Sequence, residues 1–214
     1  MKTNLTELVF ILDKSGSMSG LENDTIGGFN SLIKKQKKEE GEAIVTTILF
    51  NHSSEMIHDR INIKDVPLLT NKEYYVNGCT ALLDAIGNTI NQIIRRQFND
   101  ENKPNKTLFI ITTDGEENSS KEFDYSKVKQ LIETVKKDFN YEFIFLGANI
   151  DTVKEAKRFG INVDNAVSYN CDSRGIDLNY KCLSDAISYV RKNEKLSKEW
   201  REEIDFDFED RKNN

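Results

Sequence analysis

The sequence ELVFILDKSGSMS, residues 7–19, carries the clearest indication of the fold. It opens with a short apolar run, which has the length of a buried β-strand, and it ends in an acid followed by alternating serines. Because side chains alternate along an extended chain, Asp13, Ser15 and Ser17 are expected on one side of the loop that leaves the strand. The stretch therefore predicts a strand whose carboxyl end presents three oxygen-bearing side chains.

Similar apolar runs alternate with helical patterns along the rest of the chain. Strands are predicted at residues 43–51, 107–113, 142–148 and 166–169, with a short antiparallel neighbour at 54–60. Helices are predicted at residues 21–38, 81–98, 124–139, 152–159 and 176–192. Near-continuous apolar strands that alternate with amphipathic helices are typical of a mainly parallel sheet covered on both faces. We expect one α/β domain over residues 5–193, followed by a charged C-terminal tail or extra helix over residues 194–214.

The composition disfavours several classes of protein. The 214 residues include 30 basic and 36 acidic side chains, a net charge of −6, and an acidic chain gains little from neutralising phosphates. No apolar run approaches the ~18–20 residues of a membrane helix, and the N-terminus does not read as a secretory signal. The three cysteines share no spacing typical of a disulfide framework or zinc site. We expect a cytoplasmic protein with neither nucleic acid nor membrane as its partner.

Two further loops carry oxygen atoms toward the same region. NGCT, residues 77–80, precedes a predicted helix, and TTDGE, residues 112–116, follows a predicted central strand. In open α/β sheets, ligands bind outside the carboxyl ends of strands where the strand order reverses. The set that these loops offer comprises the carboxylates of Asp13 and Asp114 and the hydroxyls of Ser15, Ser17 and Thr80. All-oxygen ligands without His or Cys suit a hard divalent cation, above all Mg²⁺.

This three-part pattern resembles the metal-ion-dependent adhesion site (MIDAS) of von Willebrand factor type A (vWA) domains. The resemblance covers residues 5–193 and suggests an intracellular, prokaryotic-type, single-domain member. It implies a doubly wound, Rossmann-like sheet of six mostly parallel strands, with one antiparallel edge strand and helices on both faces. It also implies direct coordination by Ser15, Ser17 and Thr80 when a ligand is engaged, with Asp13 and Asp114 acting through water. Ala81 departs from the polar residue or proline that many members carry, which leaves the support of the threonine loop open.

The resemblance implies a binding module and not an enzyme. Mg²⁺, with Mn²⁺ or Ca²⁺ as substitutes, would coordinate an Asp or Glu carboxylate supplied by a protein partner. The alternative is a metal-dependent phosphohydrolase that uses the same crevice. A serine nucleophile would need a paired base, whereas His52 and His58 are expected at exposed loop or edge positions away from the crevice. Phosphatases of the haloacid dehalogenase type would need an acid where this chain has Ser15.

Other interpretations of these residues remain open at the level of sequence. Asp13 and Asp114 would each serve as a helix cap, although capping does not explain their convergence with Thr80. Glu116 and Glu117 either bias the field at the metal or are solvated loop acids. The acid-rich segment at residues 205–210 would suit the metal of its own or a neighbouring copy, and a tail that packs elsewhere or is solvated is the competing interpretation.

Overall fold

The computed structural model describes residues 5–192 and 196–212. Within these ranges one six-stranded sheet forms the centre, in the order β3-β2-β1-β4-β5-β6. The strands are β1 (Leu5–Asp13), β2 (Glu42–Phe50), β3 (Ser54–Asn62), β4 (Lys106–Thr113), β5 (Tyr141–Gly147) and β6 (Ala166–Ser168). Only β3 runs antiparallel, along β2 at the edge of the sheet. The predicted fold class is confirmed.

Helices cover both faces of this sheet. They are α1 (Glu22–Gln36), α2 (Leu82–Phe98), α3 (Tyr125–Asp138), α4 (Thr152–Phe159), α5 (Ser173–Arg191) and α6 (Glu202–Lys212). Alternate residues of β1 face opposite cores: Phe10 packs with α1 and α5, whereas Ile11 packs with α2 and α3. Because both faces of β1 are buried, its sequence is apolar throughout and shows no alternation with polar residues.

The order of the strands fixes the position of the candidate site. The chain moves from β1 outward to β2 on one side and later returns to β4 on the other side of β1. The strand order therefore reverses between β1 and β4, where Leu12 is paired with Thr112. The loops after Asp13 and Thr113 leave the sheet side by side at this point, which is where open α/β sheets bind ligands.

The C-terminal residues that the structure describes pack against the domain. A short 3₁₀ turn at Lys198–Arg201 leads into α6, and Trp200 and Ile204 are buried in the core cluster that includes α5. The predicted boundary between residues 193 and 194 lies outside the described residues. The acid-rich segment forms part of α6, in which Asp205 pairs with Arg201 at 2.7 Å, so this segment does not occupy the metal crevice of its own chain.

Two details of the described residues bear on sequence expectations. α5 begins three residues earlier than its apolar pattern suggests, because the Asp172 side chain accepts a hydrogen bond from Gly175 N at 2.8 Å and caps the helix. His58, expected to be an exposed edge residue, is buried on β3, where its Nδ1 lies 2.9 Å from Thr47 Oγ1. Across residues 5–192 and 196–212, no helix combines the length and apolar character needed to cross a membrane.

Candidate metal centre

The Asp13 carboxylate is buried and fixed at both oxygens. Its Oδ1 accepts a hydrogen bond from Ser15 N at 2.7 Å, and its Oδ2 accepts one from Thr113 Oγ1 at 2.6 Å. The intervening Lys14 directs its ammonium group away from this acid, to 2.9 Å from Glu55 Oε2. The carboxylate is therefore held in place by neutral donors while the nearest lysine is engaged elsewhere.

The predicted hydroxyls converge beside the second acid. Ser15 Oγ lies 3.1 Å from Ser17 Oγ, and Ser17 Oγ donates to Asp114 Oδ1 at 2.6 Å. A methyl carbon built on Gly115 would lie 3.3 Å from Ser17 Oγ and 3.5 Å from Thr80 Oγ1, so Gly115 leaves open the space between these two hydroxyls. The structure thus brings the side chains of the three predicted loops to one place.

Hydrogen bonds to and from main-chain atoms support the loop that carries Thr80, the threonine loop. Thr80 N donates to Asn118 Oδ1 at 2.9 Å, and Asn118 N donates to Thr80 O at 3.0 Å. Ala81 N donates to Asn51 O at 2.8 Å, so the loop is anchored despite the apolar side chain at this position. Glu117 is not a solvated acid, since its carboxylate accepts from Leu83 N at 2.9 Å in the first turn of α2.

Sequence reasoning missed several residues that position the acids. Thr113 lies inside the quoted TTDGE loop, and its place beside Asp114 is the only sequence signal it offers. Tyr74 OH donates to Asp13 O at 2.6 Å, and Cys171 Sγ donates to Asp114 Oδ2 at 3.8 Å. Neither contact has a spacing in the sequence that would reveal it, because each joins residues more than fifty positions apart.

The electrostatics of the site favour a bound cation. Burial raises the pKa of Asp13 to about 6, and the charge of the nearby Asp114 adds to this shift. Burial also raises the pKa of Asp114. Among the ion pairs of the described residues, none involves either acid, so no side chain in that part of the chain neutralises them. A divalent cation would supply the missing positive charge, and the oxygen donors suit it.

The donor set also narrows the kind of metal site. In the part of the chain that the structure describes, no group of three or more His, Cys, Asp and Glu side chains is arranged to hold a metal. The candidate centre instead combines two carboxylates with three hydroxyls, which is unlike the nitrogen- and sulfur-rich sites of structural zinc.

The position of His52 corrects an expectation. β2 runs parallel to β1, and Phe50 at its carboxyl end is paired with Asp13, so the turn after β2 lies at the same edge of the sheet as the candidate site. The exposed His52 ring packs against Gly78. A Cβ added to Gly78 would lie 2.3 Å from His52 Nδ1. Gly78 adopts a φ of +73° and accepts a hydrogen bond from Gly16 N at 3.0 Å. His52 is therefore a rim residue of the site.

Comparison with solved structures places this fold among vWA domains. Proximal thread matrix protein 1 from the mussel byssus matches with a TM-score of 0.60 and 14% identity, over 88% of this chain and 47% of that one. The manganese-loaded TRAP protein of Plasmodium vivax matches with a TM-score of 0.57 and 15% identity, over 83% of this chain and 73% of that one. A von Willebrand factor type A protein from Catenulispora acidiphila matches with a TM-score of 0.56 and 14% identity, over 86% and 42% of the two chains.

These similarities show the fold. Neither a protein-family model nor a curated protein sequence matches the chain. The chain spans about half the length of the mussel protein, which has also been solved with zinc in its MIDAS motif, at a TM-score of 0.59 and 11% identity. The fold is that of a vWA domain, and two of these neighbours were solved with a divalent metal, manganese in one and zinc in the MIDAS motif of the other.

Proposed function

We propose that this protein is a metal-dependent protein-binding module. A divalent cation, Mg²⁺ in the resting protein, is held by Asp13, Ser15, Ser17, Thr80 and Asp114 and binds an Asp or Glu carboxylate of a partner protein. The observation that carries the proposal is the pair of buried acids that form no ion pair within residues 5–192 and 196–212 and that adjoin converging hydroxyls.

The chemistry of the ligands explains why such a site would capture a carboxylate. When bound, the cation supplies a Lewis acid whose charge the two carboxylates only just balance. If Ser15, Ser17 and Thr80 are the direct ligands, they are neutral, and an incoming carboxylate is favoured electrostatically. The role of this chain's own residues is to fix the oxygen atoms in place: Thr113 holds Asp13, and Asn118 holds the loop that carries Thr80.

The phosphohydrolase alternative lacks a specific supporting contact. A serine nucleophile in this crevice would need a paired base. Across residues 5–192 and 196–212, no hydrogen bond joins a histidine to a hydroxyl of the site, and the acid that accepts from Ser17, Asp114, is the one we assign to the metal. The solved neighbours include a manganese-loaded protein and a byssus matrix protein, which agrees with a binding role.

The experiment uses a phage-displayed library of seven-residue peptides with a fixed central Asp, selected on the purified protein in Mg²⁺ and again in chelator. We expect retention only in Mg²⁺, and loss of retention when the central Asp is replaced by Asn. Thr80→Ala should reduce retention at least tenfold, because it removes a neutral ligand without changing the net charge. Thr134→Ala is the matched control, since that hydroxyl lies on the exposed surface of α3 and donates to Gln130 O at 2.7 Å.

Retention that is equal in Mg²⁺ and chelator would contradict the proposal. Turnover of a generic phosphoester that requires Mg²⁺ and Asp13 would favour the hydrolase in its place.

A further inference from the structure

The segment between β3 and α2 is tied to the first loop of the candidate site. After the short turn at Ile63–Asp65, residues 66–81 contain no helix or strand, and segments of this length without regular structure are often binding loops. Tyr74 OH donates to Asp13 O at 2.6 Å, and Asn77 N donates to Lys14 O at 3.0 Å. Two contacts from neighbouring residues thus fix this segment against the loop that carries the metal ligands.

Tyr75 lies between these two anchors and faces outward. Half of its surface is exposed (50%), although its neighbour Tyr74 is buried. Lys14 Nζ lies 4.6 Å from the centroid of the Tyr75 ring, and the Lys14 side chain is itself buried and paired with Glu55. The ring is therefore held on one face by a cation that cannot move freely, and the remainder of its surface is open at the rim of the site.

The Tyr75 ring lies beside the loop that carries three of the metal ligands, within the span of a short peptide. Lys14 lies between Asp13 and Ser15 in the chain, and its ammonium lies 4.6 Å from the ring centroid, so the ring flanks this loop on the side opposite the ligand oxygens. An extended peptide advances ~3.3–3.6 Å per residue. A partner segment that crosses this loop with its acid at the metal would place a residue within about three positions of that acid beside Tyr75.

We propose that Tyr75 is a specificity-determining residue, and that partner segments carry an aromatic or large aliphatic side chain within three positions of the metal-binding acid. This inference rests on the proposed function and names the class of partner. Exposed tyrosines held in one orientation are frequent binding hot spots, because a rigid ring loses little entropy on contact. A Lys or Arg side chain of the partner is disfavoured on the open face of the Tyr75 ring. The Lys14 ammonium already interacts with the ring's electron density and would repel a second positive charge.

The test uses the same peptide library, with the central Asp fixed and three random positions on each side. For the unaltered protein we expect Phe, Tyr, Trp, Leu, Ile or Met to be enriched at one or more of these positions among peptides retained in Mg²⁺. Tyr75→Ala should abolish that enrichment while retention still requires both Mg²⁺ and the Asp. Tyr75→Phe keeps the ring and should preserve the enrichment.

Phe98→Ala is the matched control. Phe98 is 78% exposed and also has a lysine over its ring, with Lys103 Nζ at 5.8 Å from the centroid. It ends α2 at the opposite edge of the sheet, so its replacement should leave the selected sequences unchanged.

The outcomes separate this inference from the proposed function. If the unaltered protein retains no peptide in an Asp- and Mg²⁺-dependent way, the proposed function is wrong and the inference falls with it. If retention depends on both but shows no apolar enrichment, or if Tyr75→Ala keeps the enrichment, only the inference is overturned. Circular dichroism and the thermal midpoint check that Tyr75→Ala is folded, and Tyr75→Phe supplies the comparison if it is not.

Discussion

Glu7 and Asp13 are two buried acids on the same strand, and their surroundings differ in one respect. Glu7, near the start of β1, lies 3.3 Å from Arg60 Nε and accepts a hydrogen bond from Gln97 Nε2 at 2.9 Å. Asp13, at the end of the strand, accepts hydrogen bonds from Ser15 N and Thr113 Oγ1, and within the described part of the chain it meets no charged donor. A buried charge is costly unless it is paired. The comparison shows that the chain supplies its own cation at one end of β1, whereas at the other end it leaves a place that suits a metal ion.

The backbone around Glu7 is shaped for this pairing. Arg60 adopts a φ of +51°, a left-handed conformation that is unfavourable for a residue with a side chain, and the register of β2 with β3 shifts next to Val45. Arg60 N donates to Thr46 Oγ1 at 3.2 Å, which helps to hold this conformation. Burial raises the pKa of Glu7, and the charge of Arg60 opposes that shift.

Among the substitutions considered, Asp13→Asn is expected to have the largest effect on metal affinity. The substitution keeps the size of the side chain but removes a charge that the metal requires, so Mn²⁺ and Mg²⁺ affinity should fall at least 100-fold. The free energy of unfolding without metal should not decrease, because an uncompensated buried charge is lost. Calorimetric titration measures the affinity and urea unfolding measures the stability. Equal metal affinity in the two proteins would refute the assigned site.

Glu7→Gln should show the opposite pattern. It leaves the partly buried Arg60 with fewer partners, so we expect the free energy of unfolding to fall by about 2 kcal/mol. Metal affinity should be unchanged, because Glu7 lies at the other end of β1. Urea unfolding and calorimetry on the same preparation test both statements, and a shared loss of metal affinity would show that the two ends of the strand are coupled.

The stability of the metal-free protein should depend on pH through the ionisation of Asp13. The pKa of Asp13 is raised from the model-peptide value of 3.8 to about 6, so between these values the folded state binds more protons than the unfolded state. This acid therefore lowers stability as the pH rises from 4 to above 6, with a slope of at most about 1.4 kcal/mol per pH unit. We expect the difference in stability between Asp13→Asn and the unaltered protein to grow over this range.

Metal binding should respond to pH in the opposite direction. Mn²⁺ binds the deprotonated acid, so its affinity should weaken as the pH falls through about 6, the raised pKa of Asp13. Calorimetric titration at several pH values measures this change. An affinity that is constant from pH 7 to pH 5 would contradict the role assigned to Asp13.

The smallest effect is expected from Cys171→Ala. The thiol is a weak donor at 3.8 Å from Asp114 Oδ2, so its removal should weaken Mn²⁺ binding no more than about fivefold. Cys182→Ala is the matched control, since that buried thiol lies on α5 within the core. A loss as large as that from Asp13→Asn would mean that Cys171 contributes directly to the site.

The hydrogen bonds that hold Asp13 and the threonine loop join residues that are distant in the sequence. Thr113 and Asp13 are 100 positions apart, and Thr80 and Asn118 are 38 apart. His52 was expected to lie away from the crevice. The parallel pairing of β2 with β1 places the turn after β2, which carries His52, at the same edge of the sheet as the site. Each of these contacts follows from which strands and loops become neighbours in three dimensions.

The alternation of strands and helices, the mainly parallel sheet and the five candidate oxygen ligands could all be predicted from the amino-acid sequence. These features are local: apolar periodicity reflects burial of each element, and the ligand pattern is contained in three short loops. Three features required the three-dimensional structure: the pairing of Glu7 with Arg60, the lack of an ion pair at Asp13 among the described residues, and the folding of residues 205–210 into α6. The physical reason is that the energy of a buried charge depends on which groups surround it, and those groups come from distant parts of the chain.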